Sequence, residues 1–585
     1  MRLLIILLTT RAWQPSRIAR HPTHLRASTN EAEGVRRGLE SVVCVFSTTA
    51  APDYGQPWAL YAEEDVTGSG FWVSPTQVVT NEHVIKHARD VRVRPHGSAR
   101  KLKCRVAFAS AERDLALLEV IDDAMSPPVL NFAQSLPELY SAVAVVGYPL
   151  GGDNICVTRG VVSRLDAMAY GGEGRGERLL VVQIDAGVNS GTSGGPALDE
   201  RGHVAGVAFS SYAGSADNIG YLVPASVVEA FLREAELNER CPGLCALGIS
   251  WQTAQNKALR RSLGLRGAEG ILITKVSGST AGVLEPGDVV SSVAGAPVAD
   301  DGTIQLRGAE RVHVAHLITS RRVGDEIDVG FVRAGALRIE KVTLKPPERP
   351  VPTVAEWDQS PSYVILGGLV LQPLSAPLWD AFDDEEAYED PADVAAKYGA
   401  ATHEIVVWTS TLTSDANYGY SELSHRLPRL TKACGIDVES LAHAAEVLRD
   451  ARERGDAFYD LRFRDPGASD EVRVILDIDE VVSTHFDVGS FLSSLSADLC
   501  GSADASTAVG YQTLVQTQTM AYHELDVPEA KFSYDLSPMA VAVRTTGKRW
   551  YDFVTSICAI VGGTFTTVGL VDAVAHKVLK AGKQL

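Results

Sequence analysis

The residues best suited to chemistry lie in a glycine-rich turn, GVNSGTSGGPA, at residues 187–197, which contains Ser193. A serine hydroxyl is a poor nucleophile at its own pKa. It requires a base that removes its proton and N–H donors that stabilise the oxyanion created by attack. Gly191 and Gly194 allow the backbone to fold tightly around the serine. We therefore expect the N–H groups of Gly191 and Ser193 to point at one spot as an oxyanion hole.

Two upstream motifs supply the other parts that such a serine needs. TNEHVI carries His83, and ERDLALLEV carries Asp114. A histidine, an aspartate and a serine in this chain order form one of three known arrangements of the same catalytic geometry. Each motif alone is a weak signal, whereas the three together indicate nucleophilic acyl transfer.

The segments around these residues must position them. GSGFWVSPTQVVT precedes His83 and predicts two strands joined by a turn, bounded by Gly68 and Gly70, with the histidine at a strand end. Asp114 directly precedes the apolar run LALLEV, a predicted buried strand, so its carboxylate is expected at the end of that strand. The serine turn lies between two further strand-like segments, QIDAGV and GHVAGVAFS.

With these pieces in place, residues 36–235 resemble the HtrA/Deg family of trypsin-fold serine proteases, and most closely its plant and algal Deg branch. The resemblance implies an all-β double-barrel domain with His83 as general base, Asp114 as imidazole orienter and Ser193 as nucleophile. It implies no metal ion and no cofactor. The family usually has Asn where this chain has Thr192, so we expect altered hydrogen bonding in the loop and retained activity. The matching segments include SGFWVSPTQVVTNEHVI, RDLALLEV, AVVGYPLGGDNICVTRGVVSRLD, QIDAGVNSGTSGGPA and NIGYLVP.

Substrate preference follows from the position six residues before the nucleophile, where trypsin-like enzymes that cleave after basic residues carry a carboxylate. This chain has Gly187 there, followed by Val188. An uncharged first specificity pocket should accept small or medium apolar side chains.

A second unit, residues 245–346, follows a predicted helix, VPASVVEAFLREAEL. Its order of strand, small-residue helix and PGDVV strand resembles a permuted α+β PDZ domain. PDZ domains bind extended peptides at a sheet edge and cradle the terminal carboxylate with backbone N–H groups. The alternative is that LGI only starts a strand. The positions matching the carboxylate-binding loop are Ala246, Leu247, Gly248 and Ile249.

A third unit, residues 360–500, repeats this pattern less cleanly and resembles the degenerate second PDZ-like domain of plant-type Deg proteases. The Pro-rich segment at residues 347–359 is the predicted linker before it. We expect this unit to pack between subunits and not to capture peptide. The resemblance also implies a trimer-based homo-oligomer.

Composition fits a soluble multidomain chain of 585 residues with 45% hydrophobic and 22% charged residues. The net charge of −19 argues against nucleic-acid binding, because phosphate recognition needs clustered cations. Eight scattered cysteines predict reduced thiols, with a disulfide between Cys241 and Cys245 as the alternative.

The two ends differ from the rest of the chain. Residues 1–35 form a targeting segment whose first 30 residues contain five arginines and no acidic residue, which is typical of a chloroplast or mitochondrial transit peptide. A secretory signal peptide is the alternative interpretation of this segment, and the nucleus stays an alternative location. The tail, residues 501–585, contains 19 uncharged residues at 553–571, enough for a hydrophobic transmembrane helix or a buried element. The words YDLSPMAV and CAIVGGTFTTVGLVD resemble the end of the Erv/ER–Golgi intermediate compartment cargo-receptor family, which indicates a gene fusion that anchors the protein or a misjoined gene model.

Two function classes follow from these observations. One is an ATP-independent serine endopeptidase that degrades unfolded or damaged proteins and recognises peptides through PDZ domains. The other is a proteolytically silent chaperone or scaffold with PDZ domains. The intact set His83, Asp114 and Ser193 favours the first. A cargo receptor rests on the tail alone and lacks the lumenal domain such receptors need.

Overall fold

The structure is a computed structural model. It describes residues 35–36, 38–121, 127–149, 154–170, 176–209, 219–265, 269–349, 351–352, 360–382, 391–399, 403–420, 423, 426–483, 531–535 and 540–544.

Six strands rich in branched and aromatic residues, which suit a pleated half-buried surface, form the first barrel. They are β1 (Val42–Thr49), β2 (Glu64–Trp72), β3 (Gln77–Thr80), β4 (Ala88–Pro95), β5 (Leu102–Ser110) and β6 (Leu115–Val120). The barrel closes antiparallel in the order β1-β2-β3-β6-β5-β4. Closure pairs every strand on both sides and leaves no exposed edge.

Gly68 and Gly70 lie inside β2, so the prediction that they bound a strand is wrong. Their role is close packing against β3 and the segment around His83. A Cβ atom at Gly70 would lie 2.8 Å from the Val79 carbonyl oxygen, and one at Gly68 would lie 2.6 Å from Val84 Cγ1. Small residues are therefore needed in the middle of this strand.

A second closed barrel follows, in the order β10-β11-β12-β9-β8-β7. Its strands are β7 (Ala142–Gly147), β8 (Cys156–Met168), β9 (Leu179–Ile184), β10 (Pro196–Leu198), β11 (Val204–Phe209) and β12 (Gly220–Pro224). The predicted helix after it is present as α1 (Ala225–Leu237). The double-barrel fold predicted from the sequence is therefore confirmed.

A hydrophobic cluster joins the two barrels and α1. It contains Phe71 and Leu115 of the first barrel, Val146 and Phe209 of the second, and Phe231 of α1, all buried. Because protein interiors are close-packed, this cluster fixes the position of one barrel against the other. Loops from both barrels are thereby held at one shared boundary.

The third sheet has the strand order β13-β14-β15-β19-β20, with β16 paired to β15, and a separate β17-β18 hairpin lies beside it in the chain. Its core cluster includes Ala167 and Leu180 of the second barrel, so this domain packs against that barrel. Its elements are β13 (Ile249–Gln252), α2 (Lys257–Ser262), β14 (Ile271–Val276), β15 (Val289–Val293), β16 (Ala296–Pro297), β17 (Thr303–Arg307), β18 (Glu310–His313), α3 (Ala315–Thr319), β19 (Glu326–Arg333) and β20 (Ala336–Thr343).

The predicted linker is not a free spacer where the structure describes it. Arg349 Nη2 lies 3.1 Å from Oε1 of Glu177, two residues before β9, and Val351 is buried. Arg349 therefore attaches the linker to the segment that enters the second barrel, whereas Val351 packs in a cluster with Leu374 and Leu378 of the next unit.

The fourth sheet has the order β21-β22-β23-β24-β26-β27, with β25 paired to β24. The predicted helix in this unit is present as α6, where the Ser440 hydroxyl caps the N-terminus by accepting from the His443 N–H. The elements are β21 (Val364–Leu366), β22 (Leu369–Pro373), α4 (Ala376–Phe382), α5 (Pro391–Lys397), β23 (Val406–Thr411), β24 (Arg429–Ala433), β25 (Ile436–Asp437), α6 (Leu441–Glu453), β26 (Phe458–Arg464), β27 (Val472–Asp477) and α7 (Ile478–Ser483).

A separate unit spans Ser502–Leu585. Its described strands, β28 (Lys531–Asp535) and β29 (Ala540–Arg544), pair antiparallel. Across the described ranges, no helix is both long and apolar enough to cross a membrane. The predicted apolar segment at residues 553–571 and nearly all of the targeting segment at 1–35 lie outside those ranges.

Candidate active site

The structure brings His83 and Asp114 together at the end of the first barrel. His83 follows β3, and Asp114 immediately precedes β6, which pairs with β3. The His83 Nδ1 atom lies 2.8 Å from Asp114 Oδ2 and 3.0 Å from Oδ1. The His83 backbone N–H also donates to Oδ1 at 3.0 Å. This carboxylate therefore fixes both the ring and the backbone of the histidine.

Asp114 adopts a left-handed backbone conformation, with φ at 48°, which is unfavourable for a residue other than glycine. The conformation is held by Asn81, whose Nδ2 donates to the Asp114 carbonyl oxygen at 2.7 Å. Asn81 is fully buried and lies two residues before His83. One short segment thus carries the histidine and holds the backbone of its partner.

Electrostatics at the pair favour a charged imidazole. Burial lowers the pKa of His83, but the charge of Asp114, the hydrogen bond to it and the charge of Glu82 outweigh burial, so the pKa is raised above 6.5. The Asp114 side chain is 8% exposed, and the His83 side chain is 44% exposed. The ring can therefore face a substrate while its Nδ1 stays bound to the buried carboxylate.

The Ser193 turn belongs to the second barrel but is fastened to the first. The Ser69 N–H of β2 donates to the Ser193 carbonyl oxygen at 2.8 Å, and the Ser69 hydroxyl donates to the Gly191 carbonyl oxygen at 2.7 Å. A Cβ atom at Gly194 would collide with the Ser69 carbonyl oxygen and lie 3.0 Å from the Asn81 nitrogen. The serine turn therefore lies directly against the segment that carries His83.

Glycines shape this turn as the sequence predicted. Gly191 and Gly194 have φ angles of 94° and 86°, a region that disfavours other residues. Within the described part of the chain, no acceptor is paired with the N–H of Gly191 or Ser193. Among the described residues both amides are therefore left without an acceptor, as the predicted oxyanion hole requires. The Thr192 hydroxyl donates to the Asn189 carbonyl oxygen at 2.6 Å and braces the turn from within.

In the described structure, the predicted specificity residues Gly187 and Val188 form no hydrogen bond with His83, Asp114 or Ser193. Val188 packs against the core of the second barrel, next to Gly220. The roles of Gly187 and Val188 in the first specificity pocket stay predictions. No group of three or more His, Cys, Asp or Glu side chains in the described ranges is arranged to hold a metal ion.

The predicted carboxylate-binding loop needs one correction. The Ala246 N–H donates to the Lys345 carbonyl oxygen at 3.0 Å, so this amide is engaged within the domain. Gly248 has φ at 72°, and Ile249 begins β13, an edge strand of its sheet. Peptide binding by Leu247, Gly248 and Ile249 stays a prediction.

Cys241 and Cys245 are free thiols, as the first of the two sequence interpretations proposed. Burial and the neighbouring acids Asp325 and Glu234 raise the pKa of Cys245 to about 11.

Sequence reasoning missed several residues that build the site. Asn81 and Glu82 lie directly before His83 in the TNEHVI motif. Two polar residues next to a candidate base could have indicated that they help to position it. Ser69 gave no such signal, because its contacts lie 122 residues away at Gly191.

A closed double barrel in which a histidine–aspartate pair abuts a glycine-shaped serine turn defines a trypsin-like serine peptidase. The chain matches the trypsin-like peptidase domain over residues 68–207 and the PDZ domain over residues 351–488. Residues 491–572 match the endoplasmic reticulum vesicle transporter family, which agrees with the resemblance of the tail.

Relatives extend this match over most of the chain. Protease Do-like 2, chloroplastic, of Arabidopsis thaliana is 36% identical over 430 residues, which are 71% of this chain and 69% of the relative. Protease Do-like 4, mitochondrial, of the same plant is 33% identical over 70% of this chain and 77% of its own length. The solved HtrA-type protease AlgW with decapeptide is 22% identical, with a TM-score of 0.42 over 54% of this chain and 99% of that one. The chain belongs to the Do-like (HtrA/Deg) family of serine proteases, and it is a serine-type endopeptidase.

Proposed function

We propose that this enzyme is an ATP-independent endopeptidase that degrades unfolded or damaged proteins, with Ser193, His83 and Asp114 as its catalytic triad. The observation that carries the proposal is the His83–Asp114 pair, with Nδ1–Oδ2 at 2.8 Å, set against the turn that bears Ser193. The pair and the serine come from different barrels, so their proximity depends on the fold and not on sequence adjacency.

In this mechanism the Ser193 hydroxyl attacks the peptide carbonyl carbon while His83 Nε2 takes its proton. The amide N–H groups of Gly191 and Ser193 stabilise the oxyanion. The imidazolium then protonates the leaving amine, and the acyl-enzyme forms as the C–N bond breaks. Water deprotonated by His83 hydrolyses the ester and restores Ser193. Asp114 orients the ring and stabilises the imidazolium.

Substrate selection is proposed for the domain at residues 245–346, which resembles a PDZ domain and has β13 as an edge strand. An extended peptide could add to such an edge through main-chain hydrogen bonds. The family resemblance supports unfolded proteins as substrates and a trimer-based homo-oligomer. Native mass spectrometry of the full chain should then show subunit numbers in multiples of three.

Location in an organelle is proposed from the names of the relatives, which assign one to the chloroplast and one to the mitochondrion. The arginine-rich, acid-free start of this chain supports the same conclusion. Separate fluorescent tags at the two ends of the chain, followed by fractionation, test it.

Casein degradation tests the activity. The unaltered enzyme should degrade casein at a rate that ATP does not change, and Ser193→Ala should lose about 10⁴-fold or more of that rate. Thr192→Ser, which keeps a hydroxyl beside the nucleophile, is the matched control and should retain activity. Equal and negligible turnover by the unaltered chain and Ser193→Ala would favour a silent chaperone.

A further inference from the structure

Glu82 is a buried carboxyl next to the catalytic histidine. It lies between Asn81 and His83 and is 5% exposed. Its Oε1 atom is buried and has no hydrogen-bond partner among the described residues. Carboxyl groups are seldom buried without partners, because removal from water penalises the charged form. The burial of Glu82 without a partner for Oε1 therefore calls for an explanation other than hydrogen bonding.

Three charged or titratable groups act on Glu82: Asp114, Lys86 and His83. Burial raises its pKa first, and Asp114 raises it further. Lys86 and His83 act in the opposite direction, and the pKa of Glu82 is about 7. Glu82 therefore changes charge in the same pH range as a histidine. Two acids and two bases share this corner of the first barrel.

The influence runs in both directions. The charge of Glu82 contributes to raising the pKa of His83, and the charge of His83 lowers the pKa of Glu82. Such groups titrate as a coupled set, in which loss of a proton from one changes the other. Asp114 supplies the direct hydrogen bond to the imidazole, whereas Glu82 acts only through charge.

We propose that Glu82 is a positioning residue that acts through His83 and sets the pH above which the imidazole can serve as a base. An ionised Glu82 stabilises the imidazolium and so moves the onset of activity toward higher pH. This inference rests on the proposed function, because it assigns His83 the role of general base. A purely structural Glu82 would influence stability and leave the titration of His83 unchanged.

The test titrates His83 directly by NMR in the inactive Ser193→Ala chain with isotope-labelled histidine. Loss of one signal in His83→Gln assigns the resonance. Glu82→Gln removes the charge and keeps the shape, and it should lower the pKa of His83 by about half a unit or more. Glu200→Gln, an exposed acid in the turn after β10, is the matched control and should leave it unchanged.

The active chain provides the second readout. In Glu82→Gln, the acidic limb of the kcat/KM profile should move to lower pH by the same amount, with little change in the rate at pH 8. Rate loss at every pH without a shift of the limb would overturn the proposal. Because the NMR arm uses an inactive chain, it gives a result even if the proposed catalytic role of His83 fails.

A second measurement covers the case in which Glu82→Gln does not fold. In the Ser193→Ala chain with unaltered Glu82, ¹³C-labelled glutamate reports the carboxyl itself. Coupled groups should each show two titration steps at matching pH values. A single independent step for both Glu82 and His83 would contradict the proposal.

Discussion

Arg113, which immediately precedes Asp114 in the chain, forms a buried ion pair with Glu234. Arg113 Nη2 lies 2.9 Å from Glu234 Oε1, and the two side chains are 3% and 5% exposed. Arg113 Nη1 also lies 3.3 Å from Cys241 Sγ. The residue preceding Asp114 is thereby anchored to α1 and to the segment that leads out of the double barrel.

Removing one member of this pair should be costly. Arg113→Met leaves the Glu234 carboxylate buried without its partner, and we expect a loss of about 3–5 kcal/mol in the free energy of unfolding. The double variant Arg113→Met with Glu234→Leu removes both charges and should recover most of that loss. Urea denaturation of the single and double variants measures both values. Equal destabilisation by the two would show that the pair is not electrostatically coupled.

Gly194→Ala should abolish activity. The position has φ at 86°, and the new Cβ would collide with the Ser69 carbonyl oxygen and lie 2.5 Å from Thr80 Oγ1. Gly97→Ala is the matched control, because Gly97 has φ at 74° and no atom within 4 Å of the added carbon. The control should lose about 1 kcal/mol of stability and keep its turnover. Casein assays and thermal melts compare them, and an active Gly194→Ala would contradict the packing of the serine turn.

The pH profile should follow the raised pKa of His83. A histidine accepts a proton only when neutral, so kcat/KM should fall as pH decreases through this pKa, which lies above 6.5. Initial rates on a fluorogenic peptide from pH 5 to 9 measure the midpoint. A rate that stays constant between pH 5 and 8 is incompatible with His83 as general base.

Gly248→Ala should eliminate binding of C-terminal peptides to the domain at residues 245–346. The added Cβ would collide with the Ser277 carbonyl oxygen, at a backbone φ of 72°. Gly295→Ala, with φ at 80° and no atom within 4 Å, is the control and should bind normally. Fluorescence polarisation of a labelled peptide library with the Ser193→Ala chain compares the two. Unchanged binding by Gly248→Ala would place the peptide site elsewhere.

The sequence predicted the parts of the site that short motifs encode. His83 and Asp114 each stand next to an apolar strand, and Ser193 stands in a glycine-rich turn; the structure places all three in that context. The strand limits around Gly68 and Gly70 could not be predicted. These glycines are required by close contacts with neighbouring residues and do not form a turn.

Long-range relationships were beyond the reach of sequence patterns. Arg113 and Glu234 are separated by 121 residues, and neither local sequence indicates that the two side chains pair. The Ala246 amide is engaged by Lys345, a partner from the far end of the same domain. Tertiary packing, and not local propensity, decides each of these.

Mapping the covalent adduct of a fluorophosphonate probe by mass spectrometry tests the central claim most directly. The reagent captures a serine only where a base and an oxyanion hole activate it. We predict a single adduct on Ser193 in the unaltered chain and strong loss of labelling in His83→Gln. An adduct on a different serine, or labelling that does not depend on His83, would contradict the assignment of this catalytic centre.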